Sequence, residues 1–179
     1  MRKLFLITAV LALLATQAGA ATLIGGFNGG LGAWTDTGSG VFTVASLSWG
    51  GNELAPTEGS QFLNATMYGG VWLAPGMINA GDWMSFDYAT DNDYSYWAVS
   101  KPGPPYSSVN GVMANTGYAW THESIDLSSL AGISDAQIFF GDGEFVLDNV
   151  TLGAVPEPSS IIALLGGLGS LLAFRRRRK

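Results

Sequence analysis

The stretch Asp82-Trp83-Met84-Ser85-Phe86-Asp87-Tyr88-Ala89 decides the fold. A β-strand sends successive side chains to opposite faces, so residues two apart share a face. Met84, Phe86 and Tyr88 then lie on one side, with Trp83, Ser85 and Asp87 on the other. A helix would scatter these residues around its circumference. One face is apolar throughout and the other carries a serine and an aspartate. This is the pattern of a strand that covers a core. Truncating either Phe86 or Trp83 is expected to unfold the domain, because large-to-small changes in a core cost about 3–5 kcal/mol.

The same period continues to both sides. Val41 to Leu47, Phe62 to Met67, Val71-Trp72-Leu73, Tyr94 to Ser100, Ala119 to Asp126, Ala136 to Phe140 and Glu144 to Leu152 all read as strands. Turn signals separate them: Gly50-Gly51-Asn52, Gly69-Gly70, Ala80-Gly81-Asp82, Asn110-Gly111 and Gly141-Asp142-Gly143. The longest predicted loop is Lys101 to Tyr118, which holds Pro102, Pro104 and Pro105. Ser128 to Gly132 is predicted as a single helical turn. About eight or nine short strands with turns between them indicate an all-β, antiparallel sandwich or jelly roll.

The two ends of the chain read differently. Met1-Arg2-Lys3 is basic, Leu4 to Ala15 is apolar, and Ala18-Gly19-Ala20 has the small-x-small form of a signal-peptidase site. Residues 1–20 are therefore predicted to be a signal peptide, cut by signal peptidase between Ala20 and Ala21. At the other end, Val155-Pro156-Glu157-Pro158 is a rigid break, since proline fixes its own φ and restrains the residue before it. An uncharged stretch follows over residues 159–174, and Arg175 to Lys179 are all basic. Ile161 to Phe174 would be about 21 Å long as a helix, against a hydrocarbon core of about 30 Å. Gly166, Gly167 and Gly169 weaken that helix further. Such a transmembrane helix suits passage better than permanent anchorage, with its basic end held in the cytoplasm.

The order of these three parts resembles the PEP-CTERM sorting signal of Gram-negative bacteria, carried here by Pro156, Glu157, Pro158, the glycine-containing apolar segment and the arginine cluster. The resemblance implies recognition by an exosortase, a membrane-embedded cysteine transpeptidase that cuts near Pro156–Pro158. It also implies a transient inner-membrane stage and delivery to the cell envelope, cell surface or extracellular matrix. Proteins of this kind typically come from species that make exopolysaccharide and biofilm matrix.

Between these ends lies one predicted domain, residues 21–153. Of 14 acids, all but Glu157 fall before the tail, and of eight lysines and arginines only Lys101 remains, giving a net charge of −12. One cation cannot supply the phosphate contacts that dominate nucleic-acid affinity. The same lack excludes attraction to an anionic membrane surface. Divalent cations and neutral sugars remain as partners. The absence of cysteine removes disulfides, thiolate metal sites and cysteine nucleophiles from the chain itself.

Three stretches of this domain resemble the carbohydrate-binding-module-like and adhesin-like jelly rolls of bacterial surface proteins. They are Phe27-Asn28-Gly29-Gly30-Leu31-Gly32-Ala33-Trp34, Trp120 to Gly132, and the closing Phe145-Val146-Leu147-Asp148-Asn149-Val150-Thr151-Leu152. Asn28 stands where those relatives carry an acid. The resemblance implies a structural calcium held by Asn28 and Asp148. The residues themselves leave a choice: an acid between Leu147 and Val150 needs either an ion or backbone amides. A spacing of three between those two apolar residues also calls for a bulge or for burial on both faces.

Catalytic signals are sparse. His122 is the only histidine, and no G-x-S-x-G elbow accompanies it. It reads as an exposed strand residue. Asp91, Asp93, Glu123, Asp142 and Glu144 are carboxylates that a glycosidase could use, but turn acids are ordinarily solvated. Asp91-Asn92-Asp93 starts like a calcium loop, yet Tyr96 and Pro102 stand where an EF-hand needs Gly and Glu. No catalytic residue is assigned. Rings beside polar groups recognise sugars by stacking on the apolar sugar face. Tyr106 and Tyr118, in or beside the proline-rich loop, are the expected free rings. The expected role is structural or adhesive, in or near exopolysaccharide. A module for one defined glycan is the alternative, and a small secreted hydrolase comes third.

Overall fold

The computed structural model describes residues 21–37, 40–66 and 69–154. Its strands are β1 (Thr22–Gly25), β2 (Thr35–Asp36), β3 (Val41–Val44), β4 (Leu47–Trp49), β5 (Asn52–Leu54), β6 (Phe62–Ala65), β7 (Val71–Gly76), β8 (Asp82–Thr90), β9 (Tyr96–Ser100), β10 (Ser108–Val112), β11 (Thr121–Asp126), β12 (Ala136–Gly141) and β13 (Phe145–Ala154). One 3-10 turn, Ser128–Leu130, lies within the single turn predicted there.

Two antiparallel sheets carry the core. The six-stranded sheet has the order β11-β8-β13-β6-β3, with β1 paired to β13. The five-stranded sheet has the order β10-β9-β12-β7-β2. The β4–β5 hairpin is a separate pair. Residues 22–153 form one compact unit.

The alternation in β8 places Met84, Phe86 and Tyr88 inside, as the sequence requires. Trp83 faces the other way and is 36% exposed, so it is no part of the core that its size suggested. Phe86 meets Phe140 of the opposite sheet edge-on at 4.9 Å, and Phe140 in turn meets Trp34 at 5.8 Å. Phe27 packs on Trp34 at 6.1 Å, and Trp34 Nε1 donates to the Ile24 carbonyl at 2.7 Å. The opening Phe27–Trp34 segment therefore plugs the core with its two aromatic ends. Gly30 and Gly32 between them adopt positive φ of 102° and 61°, which glycine does without a steric cost.

A smaller apolar cluster comprises Leu54, Phe62, Ala89 and Val146, with Val44, Leu47, Trp49 and Trp120 packed against it. Val146 belongs to this cluster and its neighbour Leu147 to the main core, so the closing strand is buried on both faces. The β1–β13 register shifts between Leu23 and Gly25, which leaves the extra residue, Ile24, on β1, while Asn149 of the closing strand has φ of 50°.

The described residues form thirteen strands where the sequence predicts eight or nine, because β1, β2, β5 and β10 were missed and one predicted strand is two. Val41 to Leu47 is not one strand: it breaks at Ala45–Ser46, and Leu47 starts the hairpin. Part of the predicted loop Lys101 to Tyr118 is strand β10, which pairs with β9 from Ser108↔Ser100 to Val112↔Tyr96. β10 ends its sheet, and only its two valines carry an apolar signal amid serine, asparagine and glycine. Met67, the predicted end of β6, lies outside the described residues.

Candidate functional site

The five-stranded sheet sends Trp97, Val99, Ile138, Phe140, Val71 and Leu73 inward, all buried. Alternation then forces Tyr96, Ala98, Ser100, Gln137, Phe139 and Trp72 to the outer face. The register aligns one row across four strands: Trp72 opposite Phe139, Phe139 opposite Ala98, and Ala98 opposite Asn110. A second row sets Gly141 against Tyr96, and Tyr96 against Val112. A third sets Gln137 against Ser100 and Ser100 against Ser108.

Glycine shapes this face. A Cβ at Gly141 would lie 2.4 Å from Phe139 Cζ, and one at Gly70 would lie 3.1 Å from the same atom. The Phe139 ring therefore rests across backbone that carries no side chain. It leans to Tyr96, with ring centres 5.3 Å apart and planes inclined by 36°. Trp72, Phe139 and Tyr96 are each partly exposed. Burial, and then the Asp142 charge, push the Tyr96 phenol above its ordinary value, so it stays protonated and can donate. Rings flanked by the amides of Asn110 and Gln137 and the hydroxyls of Ser100 and Ser108 can stack on an apolar surface and bond to hydroxyls at its rim.

Of the two predicted free tyrosines, Tyr106 is 80% exposed and sits in the β9–β10 connection, at the Ser100–Ser108 end of this sheet. Tyr118 is not free. Its ring meets Trp49 edge-on at 4.9 Å, and its hydroxyl donates to Asp91 Oδ2 at 3.1 Å. That hydrogen bond, and then burial, raise the phenol pKa. Tyr118 locks the turn of the β4–β5 hairpin and belongs to a different part of the surface. The face itself was missed in the sequence. Trp72 stands between Val71 and Leu73, and Phe139 between Ile138 and Phe140, so each hides in an apolar run. Strict alternation within those runs was the signal that could have found them.

Asn28 and Asp148 do converge, but on a loop. Asp148 Oδ2 accepts from Thr57 N at 2.8 Å, Thr57 Oγ1 at 3.1 Å and Glu58 N at 2.9 Å, while Oδ1 accepts from Asn149 N at 2.8 Å. Asn28 Oδ1 accepts from Ser60 N, Ser60 Oγ and Gln61 N, and its amide donates to Glu58 Oε2. Backbone N–H groups thus reach both oxygens of Asp148, as the backbone-amide alternative requires. Asp148 is fully buried; desolvation raises its pKa, and its four hydrogen bonds counter this only in part. Among the described residues no group of three or more His, Asp or Glu side chains could hold a metal ion.

The Asp91-Asn92-Asp93 segment is organised by Asn92. Its Oδ1 accepts from Tyr94 N, Ser95 N and Ser95 Oγ, and its amide donates to the Glu144 carbonyl. Glu123 accepts from Trp97 Nε1 at 3.2 Å, and burial raises its pKa. Glu144 is likewise raised, by burial and then by Asp91. His122 is an exposed residue of β11, as the sequence predicts, and it has two partners: Asp87 Oδ1 lies 2.7 Å from Nδ1, and Ser124 Oγ lies 3.2 Å from Nε2. Ala21 is exposed at the start of the domain. The remaining processing residues, Ala18, Ala20, Pro156, Glu157 and Pro158, lie outside the described residues, as do the apolar segment 159–174 and the basic tail.

Comparison with known proteins bears on both parts of the chain. Residues 154–179 match the PEP-CTERM protein-sorting motif, which implies an exported, exosortase-sorted protein. Comparison by sequence with curated proteins gives no match. Among solved structures, the CBM22-1 xylan-binding domain of Paenibacillus barcinonensis Xyn10C is similar at 17% identity and a TM-score of 0.55, over 75% of this chain and 96% of that one. TmCBM61, in complex with beta-1,4-galactotriose, is 13% identical with a TM-score of 0.53, over 76% of this chain and 100% of that one. The K2 cleaved adhesin domain of Lys-gingipain is 14% identical with a TM-score of 0.53, over 75% and 99%. At these identities the likeness is one of fold: a jelly-roll sandwich of the carbohydrate-binding-module type.

Proposed function

We propose that the exported sandwich binds polysaccharide through the Trp72–Phe139–Tyr96 face. The protein would then serve as an adhesive or structural component of the cell envelope or extracellular matrix, in or near exopolysaccharide. The observation that carries this reading is the aligned row Trp72, Phe139, Ala98 and Asn110, with Tyr96 beside Phe139. Such a face offers stacking surface to the apolar side of a sugar ring and leaves amides and hydroxyls for its edges. A domain at −12 with one lysine favours a neutral glycan over an anionic one. The sandwiches it resembles in fold include a xylan-binding domain and a module holding a galactotriose, which supports a sugar as the ligand class.

Tail processing fits the same role. In this reading signal peptidase frees Ala21, the 159–174 segment holds the chain briefly in the inner membrane, and an exosortase cuts near Pro156–Pro158. Retention of the purified protein on insoluble xylan, on β-1,4-galactan and on exopolysaccharide from the host tests the binding claim. Retention on at least one of them is expected. Passage through all three would remove it.

A further inference from the structure

We propose that Ser124, His122 and Asp87 form a nucleophilic triad that hydrolyses small acyl esters. Ser124 and His122 lie two apart on β11 and therefore share its outer face. The β11–β8 register sets Asp87 directly opposite His122. Asp87 Oδ1 is 2.7 Å from His122 Nδ1, and Ser124 Oγ is 3.2 Å from Nε2. A carboxylate beside Nδ1 keeps the proton on that nitrogen, so Nε2 is left as the base facing the serine. The second oxygen of Asp87 accepts from Asn149 Nδ2 at 3.1 Å, which fixes the carboxylate from a third strand. Asn149 belongs to β13 and has a positive φ of 50°. Ser85, the neighbour of Ser124 across the strands, is bonded to Thr151 Oγ1 at 2.6 Å instead. Ser124 is thus the serine turned to the imidazole. Trp83 shares this face, two residues from Ser85, and its part-exposed ring offers apolar surface to an acyl group.

These are the relations a triad needs: nucleophile to base, and base to an orienting carboxylate. In the acylation step Ser124 Oγ attacks the ester carbonyl carbon while its proton passes to His122 Nε2. The bond from that carbon to the alkoxy oxygen breaks, and the leaving alcohol takes the proton from Nε2. Water then attacks the acyl-serine and gives a proton to Nε2. The carbon–Oγ bond breaks, Ser124 recovers the proton, and a carboxylic acid departs. No oxidant, metal or cofactor is required. The proposal goes beyond the glycan reading and does not depend on it.

The test uses p-nitrophenyl acetate and a fluorophosphonate probe, neither of which contains a sugar. The purified protein should hydrolyse the ester above the buffer rate and take up one phosphonyl group, mapped by peptide mass to Ser124. Ser124→Ala, a change at an exposed side chain, should lose the adduct and about 100-fold or more of the hydrolysis. Asp87→Asn should lower hydrolysis while Ser124 still labels slowly. Equal hydrolysis by the parent and Ser124→Ala, or a parent that takes up no phosphonyl group, would overturn the triad. Either result is independent of whether the protein binds polysaccharide.

Discussion

Asp148 holds Glu58 by its backbone: the Glu58 N–H donates to Asp148 Oδ2 at 2.9 Å, while the Glu58 carboxylate accepts from Asn28 at 3.2 Å. One loop residue thus ties the closing strand to the opening segment. A buried acceptor that serves four donors is costly to lose, because every donor is then left without a partner. Asp148→Asn puts an amide where donors converge. It should lower the melting temperature clearly, by an amount corresponding to about 2 kcal/mol or more. The parent should melt at the same temperature in millimolar calcium and in chelator, since N–H and O–H groups already occupy both carboxylate oxygens. A melting point that rises with calcium, and no longer does so in Asp148→Ala, would instead put an ion between Asn28 and Asp148.

Phe86 and Trp83 separate core from surface on a single strand. Phe86→Ala opens a hole between the sheets where Phe140 packs and should cost about 3–5 kcal/mol. Trp83→Ala should cost about 1–2 kcal/mol, since the ring is part exposed. Chemical denaturation of both variants gives the ranking. Equal losses would mean that the outer face of β8 is packed as tightly as the inner one.

Glu123 sets a pH dependence. Burial raises its pKa in the folded state, while the Trp97 bond lowers it less. A raised folded value means that the folded chain keeps a proton that the unfolded chain releases near its ordinary value of about 4.3. Stability from this group therefore falls as pH climbs from there through the folded value, and ionised Glu123 is a standing cost above it. Glu123→Gln keeps an oxygen for Trp97 Nε1 and removes that cost. The variant should melt above the parent at about pH 7 and converge with it as Glu123 becomes protonated. A variant that melts lower at neutral pH would show that the charge is worth more than its desolvation.

Processing is checked by intact mass. The protein recovered from its host should begin at Ala21 and lack Arg175 to Lys179. Changing Pro156 and Pro158 to Ala should hold the uncut chain in the inner membrane. Native protein that keeps its basic C-terminus at steady state would contradict exosortase processing.

The sandwich was legible because strands such as β8 separate their faces: Met84, Phe86 and Tyr88 can satisfy only one core. The irregular backbone at Asn149 was legible because Leu147 and Val150, three apart, cannot share a face of a regular strand. β2 and β5 were not, since two or three residues carry no period. The sorting tail was legible by its resemblance to a known signal, since Pro156-Glu157-Pro158, the apolar segment and the basic end stand in a fixed order. The site was harder. The exposure of Tyr106 was legible from its loop, whereas Trp72 and Phe139 sit among buried neighbours, and only the assembled register shows that they face outward together. The Asp87 partner of His122 was not legible because it comes from another strand, and strand pairing is not written in the sequence around either residue.

The outer face of the five-stranded sheet is the centre of this account, and affinity electrophoresis tests it most directly. The parent, Trp72→Ala, Tyr96→Ala and Tyr118→Phe are run through native gels with and without the polysaccharide that retains the parent. Rings that stack on sugars are predicted to matter, so the parent and Tyr118→Phe should be slowed equally, and Trp72→Ala and Tyr96→Ala should migrate as if no polysaccharide were present. Equal retardation of all four proteins would contradict the account, because binding would then reside elsewhere on the domain.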